Sequence, residues 1–409
     1  MLGHTTMPVP VLDTALNPKK HFELTSTRVK WEFFFNAQRL LRDWFTTHPS
    51  TPVPLHTDVG EMTMLPPSMA NEIRNKEHLS FSQWAMKAFH GNLPGFDGFR
   101  EIGQDSGIVQ AVIANDLAKY LNKVTEPLAD ETSVAVRELL TDNEEWHTIR
   151  LSGIMVALIC HIASRVFLGE KLCRNEEWLR ITQSYTIDGF LAMTELRMWP
   201  AAIYPILRTQ VSKSRKVKQP ILEERRQLKE GLILSVGAIH TTSDLTCQTM
   251  THLVQNPEIW EPLRKGIVDT LQQHGWKKTA LYNMKLLDSV IRESRILKPV
   301  TKVSMRRMVL QEVKLSDGTV IPKNGMLASQ AQPVTTAPEN LASGHGKHAC
   351  PGRFFAANEV KIVFIFLLLR YDWKLLEGMV PRILSGEFGM ELDPTLKLEV
   401  RRRREEMEI

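Results

Sequence analysis

Cysteine is scarce in this chain: Cys160, Cys173, Cys247 and Cys350 are the only four in 409 residues. Four thiols so widely spaced do not build a disulfide framework, and the chain reads as facing a reducing compartment. Long apolar runs are scarcer still. The longest uninterrupted ones, Ile154–Cys160 and Ile362–Leu369, fall far short of the roughly 20 residues that a membrane span needs. The opening residues are polar and broken by proline, with no apolar stretch of a secretory signal. No anchor is therefore expected. Charge of one sign is also missing: 51 basic and 46 acidic side chains give a net +5, mixed along the chain. That mixture excludes a nucleic-acid-binding face. The basic run Arg401–Arg404 is followed at once by Glu405, Glu406 and Glu408 and reads as a solvated tail or strand end.

What is present reads as one large, mainly α domain over residues 1–409 with a minor β-sheet, since no repeat, low-complexity tract or convincing linker divides it. A mixed region spans about 20–105 and a helical body about 107–300; a hairpin, a cysteine loop, a last helix and a last strand fill about 300–402. Gly60–Leu65 alternates and stops at Pro66-Pro67, as a strand end does. Ser68 is placed to cap a helix through Met69–Asn75. Further helices are expected in Ser152–Phe167, Trp178–Met198 and Leu232–Met250, and a basic, solvated helix face in Lys213–Arg226. Ser316-Asp317-Gly318 between two apolar runs predicts a hairpin, and Leu396–Arg402 a last strand.

Three segments carry chemistry. The first is Ser343-Gly344-His345-Gly346-Lys347-His348-Ala349-Cys350-Pro351-Gly352-Arg353-Phe354, running into an apolar helical stretch to Leu369. It puts one cysteine at the mouth of a helix, where backbone N–H groups and the macrodipole favour a negative sulfur. Glycines on both sides let a large flat ligand approach, as axial ligation of haem iron requires. An inert buried cysteine, a reactive nucleophile, or a zinc site of His345, His348 and Cys350 are the other readings, the last without a nearby fourth ligand. The second is Ala238-Ile239-His240-Thr241-Thr242-Ser243-Asp244, hydroxyls inside an apolar helix, where such side chains compete with backbone bonding. The third is Ile291-Arg292-Glu293-Ser294-Arg295-Ile296-Leu297-Lys298-Pro299.

Together these segments resemble the cytochrome P-450 family of haem-thiolate monooxygenases, in wording closest to fungal members that oxidise terpenoids and related secondary metabolites. The resemblance runs over nearly the whole chain. It implies that Cys350 is the axial ligand of haem b iron, with Gly344 and Gly352 beside it. His348 and Arg306 would reach haem propionates. Thr242 would hold water and pass protons on the oxygen side, with Ser243 following it and Ala238 as the small residue; Phe96 and Phe99 fall in the substrate-lining loop. It further implies an apolar, terpenoid-like substrate and NADPH electrons through a flavoprotein reductase docking near the cysteine loop, where Arg353 and Lys361 add positive charge. Family members sit at the endoplasmic reticulum membrane surface, whereas this chain alone reads as soluble and cytosol-facing.

Departures from the family pattern are specific. Ser343 stands where the family usually has Phe, and Thr241 where it has an acid. The family's Glu-x-x-Arg pair, which meets at i, i+3, here has Glu293 but Ile296; the nearest arginine, Arg295, lies about 100° around the helix. A buried Glu293 without its partner would be costly. Lys323–Ala342 is too short for the family's meander before the cysteine loop, and the stretches around Tyr204–Val211 and just after Arg226 are short as well. The alternative reading is a truncated, inactive relative that holds haem poorly or not at all.

Overall fold

The computed structural model describes residues 14–93, 121–199, 226–330 and 343–405, with positions 96, 100, 103, 113 and 407; for 186 and 226–236 only the backbone is described. Among these, helices dominate and the sheets are small, the mainly α architecture with a minor sheet that the patterning predicts.

The N-terminal part builds a sheet under one helix. Helix α1 (Thr27–Thr47) buries Val29, Phe33, Ala37 and Leu41, a single stripe at four-residue spacing. It lies on a five-stranded sheet of order β1-β2-β8-β5-β3. The strands are β1 (Val53–Thr57), β2 (Gly60–Leu65), β3 (Leu79–Ser80), β5 (Val303–Val309) and β8 (Met326–Gln330). All neighbours are antiparallel except β2 with β8. The ladder between β5 and β8 slips between Ser304 and Arg307, and Met305 takes φ +55 there. Such a bulge re-aims side chains, and it puts the neighbouring arginines Arg306 and Arg307 in different surroundings. The helix expected after Ser68 is shorter than predicted: a 3-10 turn at Pro67–Met69 leads into α2 (Ala70–Ile73), and Ser68 caps nothing. Pro67, with its φ preset, opens the turn instead.

The helical body contains α4 (Leu121–Leu140), α5 (Leu151–Leu168), α7 (Glu176–Met198) and α8 (Arg226–Gln255), with α3 (Phe81–Ala88) and α6 (Glu170–Cys173) as short pieces. Then come α9 (Trp260–His274), α10 (Lys278–Asn283), α11 (Lys285–Leu297) and α12 (Arg353–Arg370). Helix α12 is buried all round from Val360 to Leu369, the signature of a helix through the middle of a core. Each large aliphatic or aromatic side chain so buried contributes about 1.5–3 kcal/mol. Among the described residues α5 alone is long and apolar enough to cross a membrane; half of it is buried, and it packs against α4 and α8 in the same core.

Three smaller pieces finish the chain. β12 (Lys397–Arg402) lies between β4 (His147–Arg150) and β9 (Tyr371–Leu375). β10 (Ile383–Gly386) and β11 (Gly389–Leu392) form a hairpin, as do β6 (Val313–Lys314) and β7 (Val320–Ile321), whose turn needs Gly318 at φ +90. The basic run is not simply solvated: Arg401 and Arg403 pair with Asp372, and Arg402 with Asp142 and Glu405. Lys213–Lys218 and the rest of that basic stretch before Arg226 lie outside the described residues, as do most of Lys323–Ala342 past Gln330 and the stretch around Tyr204–Val211.

Candidate functional site

The cysteine loop is fixed by its backbone. Cys350 N donates to Ser343 O at 2.7 Å, Ala349 N to Gly346 O at 3.0 Å, and Arg353 Nη1 to Cys350 O at 2.8 Å. Gly346 sits at φ +71, and a Cβ there would lie 2.6 Å from both Arg74 O and Asn75 Oδ1, so only glycine fits. Asn75 Oδ1 accepts from Lys347 N at 2.9 Å, which binds the loop to the chain just after α2. Gly344 is also left-handed, at φ +74. A Cβ on Gly352 would come within 4.0 Å of Cys350 Sγ, so glycine keeps that flank of the sulfur clear. Cys350 is exposed, whereas Cys160, Cys173 and Cys247 are buried, and burial pushes the first two thiols up to about 12. The sequence-predicted thiol is thus the free, accessible one at the entrance of α12.

The zinc alternative is not assembled. His345 Nε2 lies 2.9 Å from Asn71 Oδ1 and 3.1 Å from Arg74 Nη1, and His348 Nε2 donates to Leu79 O at 3.1 Å. Among the described residues, potential ligand atoms gather elsewhere, at Glu131, His161 and Cys173. There Arg174 already holds both Glu131 oxygens, at 3.0 and 3.1 Å, with Arg165 3.7 Å away. A guanidinium fills that place, and the cluster is an internal ion-pair network.

Beside the cysteine loop stands a cation that sequence reasoning missed. Arg307 is 2 % exposed, its Nη1 donates to Arg306 O at 2.8 Å, and its Nε and Nη2 have no partner. Burial alone pulls it down to about 10. Its charge, after burial, helps hold His348 down to about 4, so that ring is neutral. Arg306, the residue expected for this task, is engaged elsewhere: its Nη2 donates to Thr301 Oγ1 at 2.8 Å, and its guanidinium lies over the Trp84 and Phe388 rings. No spacing rule separates two adjacent arginines; the bulge at Met305 decides between them.

On α8, hydroxyls at Thr241, Ser243, Thr246, Thr249 and Thr251 all bond back to carbonyls within one turn. Thr242 differs. It is 2 % exposed and its Oγ1 has no partner, while its carbonyl accepts from Thr246. Ala238 is half-buried on the same helix. Phe96 is buried among Trp178, Tyr185, Met193 and Leu196, a packing residue and not an exposed loop aromatic; Phe99 lies outside the described residues.

The Glu-Arg pair is absent, and Glu293 is exposed, which corrects the expected burial penalty. Arg295 is half-buried with an unpartnered Nε, lowered by burial and by Arg292. The link between α11 and α8 is made one turn later. Lys298, with a side chain 1 % exposed, reaches both Asp244 oxygens at 2.5 and 2.6 Å. Ser294 bonds His252 at 3.0 Å beside it. On α12, Glu359 is fully buried with both carboxyl oxygens unpartnered, and burial pushes it up to about 8. Lys361, expected as docking charge, is instead 7 % exposed and tied to Asp288 at 2.6 Å and Leu281 O at 3.0 Å.

The family model described as cytochrome P-450 matches residues 206–340 and 335–399. The cytochrome P-450 monooxygenase TRI1 of Fusarium sporotrichioides is 38% identical over 461 residues, 95% of this chain and 85% of that protein. The cytochrome P-450 monooxygenase hepE of Aspergillus oryzae is 38% identical over 98% of the chain and 87% of its own length. The dihydromonacolin L monooxygenase mokC of Monascus pilosus is 33% identical over 96% and 89%. The match to TRI1 runs longer than the 409 residues of this chain, so TRI1 holds internal stretches that are missing here. With its cysteine loop, its hydroxyl-bearing helix and these relatives, the chain belongs to the cytochrome P-450 family and is an enzyme of its fungal, secondary-metabolite monooxygenase class.

Proposed function

We propose that the chain holds haem b through Cys350 and oxidises an apolar, terpenoid-like secondary metabolite with dioxygen and NADPH-derived electrons. The observation that carries this reading is the accessible Cys350 thiol at the entrance of α12 beside the buried Arg307 guanidinium, whose Nε and Nη2 have no partner. A buried cation with no counter-charge and two unmade hydrogen bonds is costly, and a propionate carboxylate is the chemistry that would satisfy it. The residues therefore fit the group. Cys350 would supply the axial thiolate, Gly344 and Gly352 the close approach, and Arg307, in place of Arg306, the propionate contact. His348 would line that edge as a neutral ring. The bound haem supplies the redox chemistry, with the thiolate pushing electron density to the metal.

The chain's own part is positioning and proton handling. Thr242 offers a buried hydroxyl free to bind a water and hand on its proton, whereas Ser243 is occupied with the His240 carbonyl. Electrons would come from an NADPH-dependent flavoprotein reductase on the cysteine-loop face, where Arg353, its guanidinium over exposed Phe354, and exposed Lys347 offer positive charge. The endoplasmic reticulum membrane surface is the place this reading gives it. A second reading, a truncated, inactive relative that holds haem poorly or not at all, is favoured by Ile296 and the exposed Glu293.

Reconstitution with a flavoprotein reductase separates the two. Purified protein should carry about one haem per chain and support dioxygen-dependent NADPH oxidation. Haem without oxidation supports the second reading. No haem uptake contradicts the first reading and leaves the second standing.

A further inference from the structure

Residues 71–79 touch both ends of the proposed haem site. On one side they hold four consecutive residues of the cysteine loop. His345 Nε2 lies 2.9 Å from Asn71 Oδ1 and 3.1 Å from Arg74 Nη1. Gly346 sits so close to Arg74 O and Asn75 Oδ1 that no side chain fits between them. Lys347 N donates to Asn75 Oδ1 at 2.9 Å, and His348 Nε2 to Leu79 O at 3.1 Å. Cys350 follows two residues on. The loop's own bonds, Cys350 N to Ser343 O and Ala349 N to Gly346 O, close its turn, and α12 fixes its far end. The near end is oriented by residues 71–79.

On the other side the same segment is built into the sheet that carries Arg307. Leu79 and Ser80 pair as β3 with Val309 and Met308 of β5, and Leu310 N donates to His78 O at 2.8 Å. Ile73 and Leu79, each 1% exposed, join Val309, Leu315 and Leu327 in one apolar cluster. Glu72 accepts from Ser316 N and Oγ at 2.9 and 2.7 Å and from Lys76 Nζ at 3.1 Å. Lys76 Nζ also donates to Lys314 O at 3.0 Å. Leu79 joins the two sides directly. Its carbonyl takes the His348 ring, and its strand partner Val309 lies two residues from Arg307.

We propose that residues 71–79 are a strap that sets the spacing between Cys350 and Arg307, with Arg74 and Asn75 as positioning residues for the axial thiolate. The inference rests on the haem reading above. A flat, rigid ligand held by a sulfur at its centre and a cation at its edge tolerates little drift between the two, so the elements under them must be tied together. The two sides of the strap are tied differently. The sheet side is held by backbone pairing and burial, the loop side largely by the ends of polar side chains. Cutting the side-chain bonds at Arg74 and Asn75 therefore frees the loop and leaves the sheet in place.

The test compares wild type with the double variant Arg74→Ala, Asn75→Ala, which removes both side-chain bonds, and with Asn75→Asp, which keeps an acceptor for Lys347 N. In the haem-free protein, amide exchange of residues 345–350 should quicken about tenfold in the double variant, while α12 beyond Val360 stays unchanged. In the haem-loaded, dithionite-reduced, carbon monoxide-treated protein, the share of Soret absorbance in the red-shifted, thiolate-ligated band should fall about threefold in the double variant. Asn75→Asp should keep the wild-type value of both. Asn75 is exposed, and Asn75→Ala alone should show both changes at smaller size. Unchanged exchange overturns the strap. Faster exchange with an unchanged thiolate share, or a loss of that share that Asn75→Asp fails to restore, overturns the positioning role. If wild type itself lacks the red-shifted band, the haem reading fails, and the exchange comparison alone decides whether the segment holds the loop.

Discussion

Arg307 and Thr242 are buried polar side chains with atoms that no protein group satisfies. An unmade bond to a buried donor costs about 1–3 kcal/mol. Arg307→Met should therefore stabilise the haem-free protein by about that amount in urea melts, while lowering haem retention in the loaded one. A loss of apoprotein stability would show that its one bond, to Arg306 O, outweighs the cost of its two unpartnered nitrogens. For Thr242→Ala the pattern reverses. Stability should change by less than about 1 kcal/mol, since the hydroxyl is unbonded, whereas the proton-dependent step should slow by about 100-fold or more, read as peroxide released per NADPH oxidised. Glu359 gives a third residue-scale prediction. Its folded value of about 8 lies above the ordinary 4.5, so its contribution to stability is complete below 4.5 and is lost as pH rises through about 8. Glu359→Gln should flatten that part of the stability profile; an unchanged slope would place the titration elsewhere.

Helices α8 and α11 show what was legible at the scale of elements. The apolar pattern located α8 and the family resemblance pointed to α11, and the hydroxyl cluster marked α8 as unusual, because polar side chains in an apolar helix are visible in sequence. How the two are fastened was not. Ile296 announced a missing Glu-Arg contact, but the bond between Lys298 and Asp244 joins residues 54 positions apart and depends on how the helices cross. Arg306 and Arg307 make the same point, since a one-residue bulge at Met305 changes their surroundings and leaves no signature in an alternating strand. Whether Phe96 lines a pocket or merely packs was open in the sequence, because its burial against α7 is tertiary. The cysteine loop, by contrast, was legible almost entirely: its turn requires glycine at Gly344 and Gly346, and local backbone geometry writes itself into local sequence. The Lys298–Asp244 pair should behave as a fastening. Lys298→Met alone should cost about 3–5 kcal/mol by leaving Asp244 unpaired, and adding Asp244→Asn should restore a good part of it. Additive losses in that double-mutant cycle would remove the pair from the account.

At the scale of the whole molecule, the chain keeps the cysteine loop and the hydroxyl-bearing helix on which the proposed haem site rests, while lacking internal stretches present in TRI1. α12 runs through the core and holds Cys350 at its entrance, so the proposed ligand rests on a helix buried all round from Val360 to Leu369. The family's usual lock behind it is gone, with Glu293 exposed and Ile296 in place of an arginine. Loss of that lock affects how firmly the pocket is held, not which group it fits. The most direct measurement is the absorption spectrum of the dithionite-reduced, carbon monoxide-treated protein, beside that of Cys350→Ala. The account predicts the red-shifted Soret band of thiolate-ligated iron in the first and its loss in the second. A wild-type protein without that band, or a Cys350→Ala protein that keeps it, would contradict the assignment.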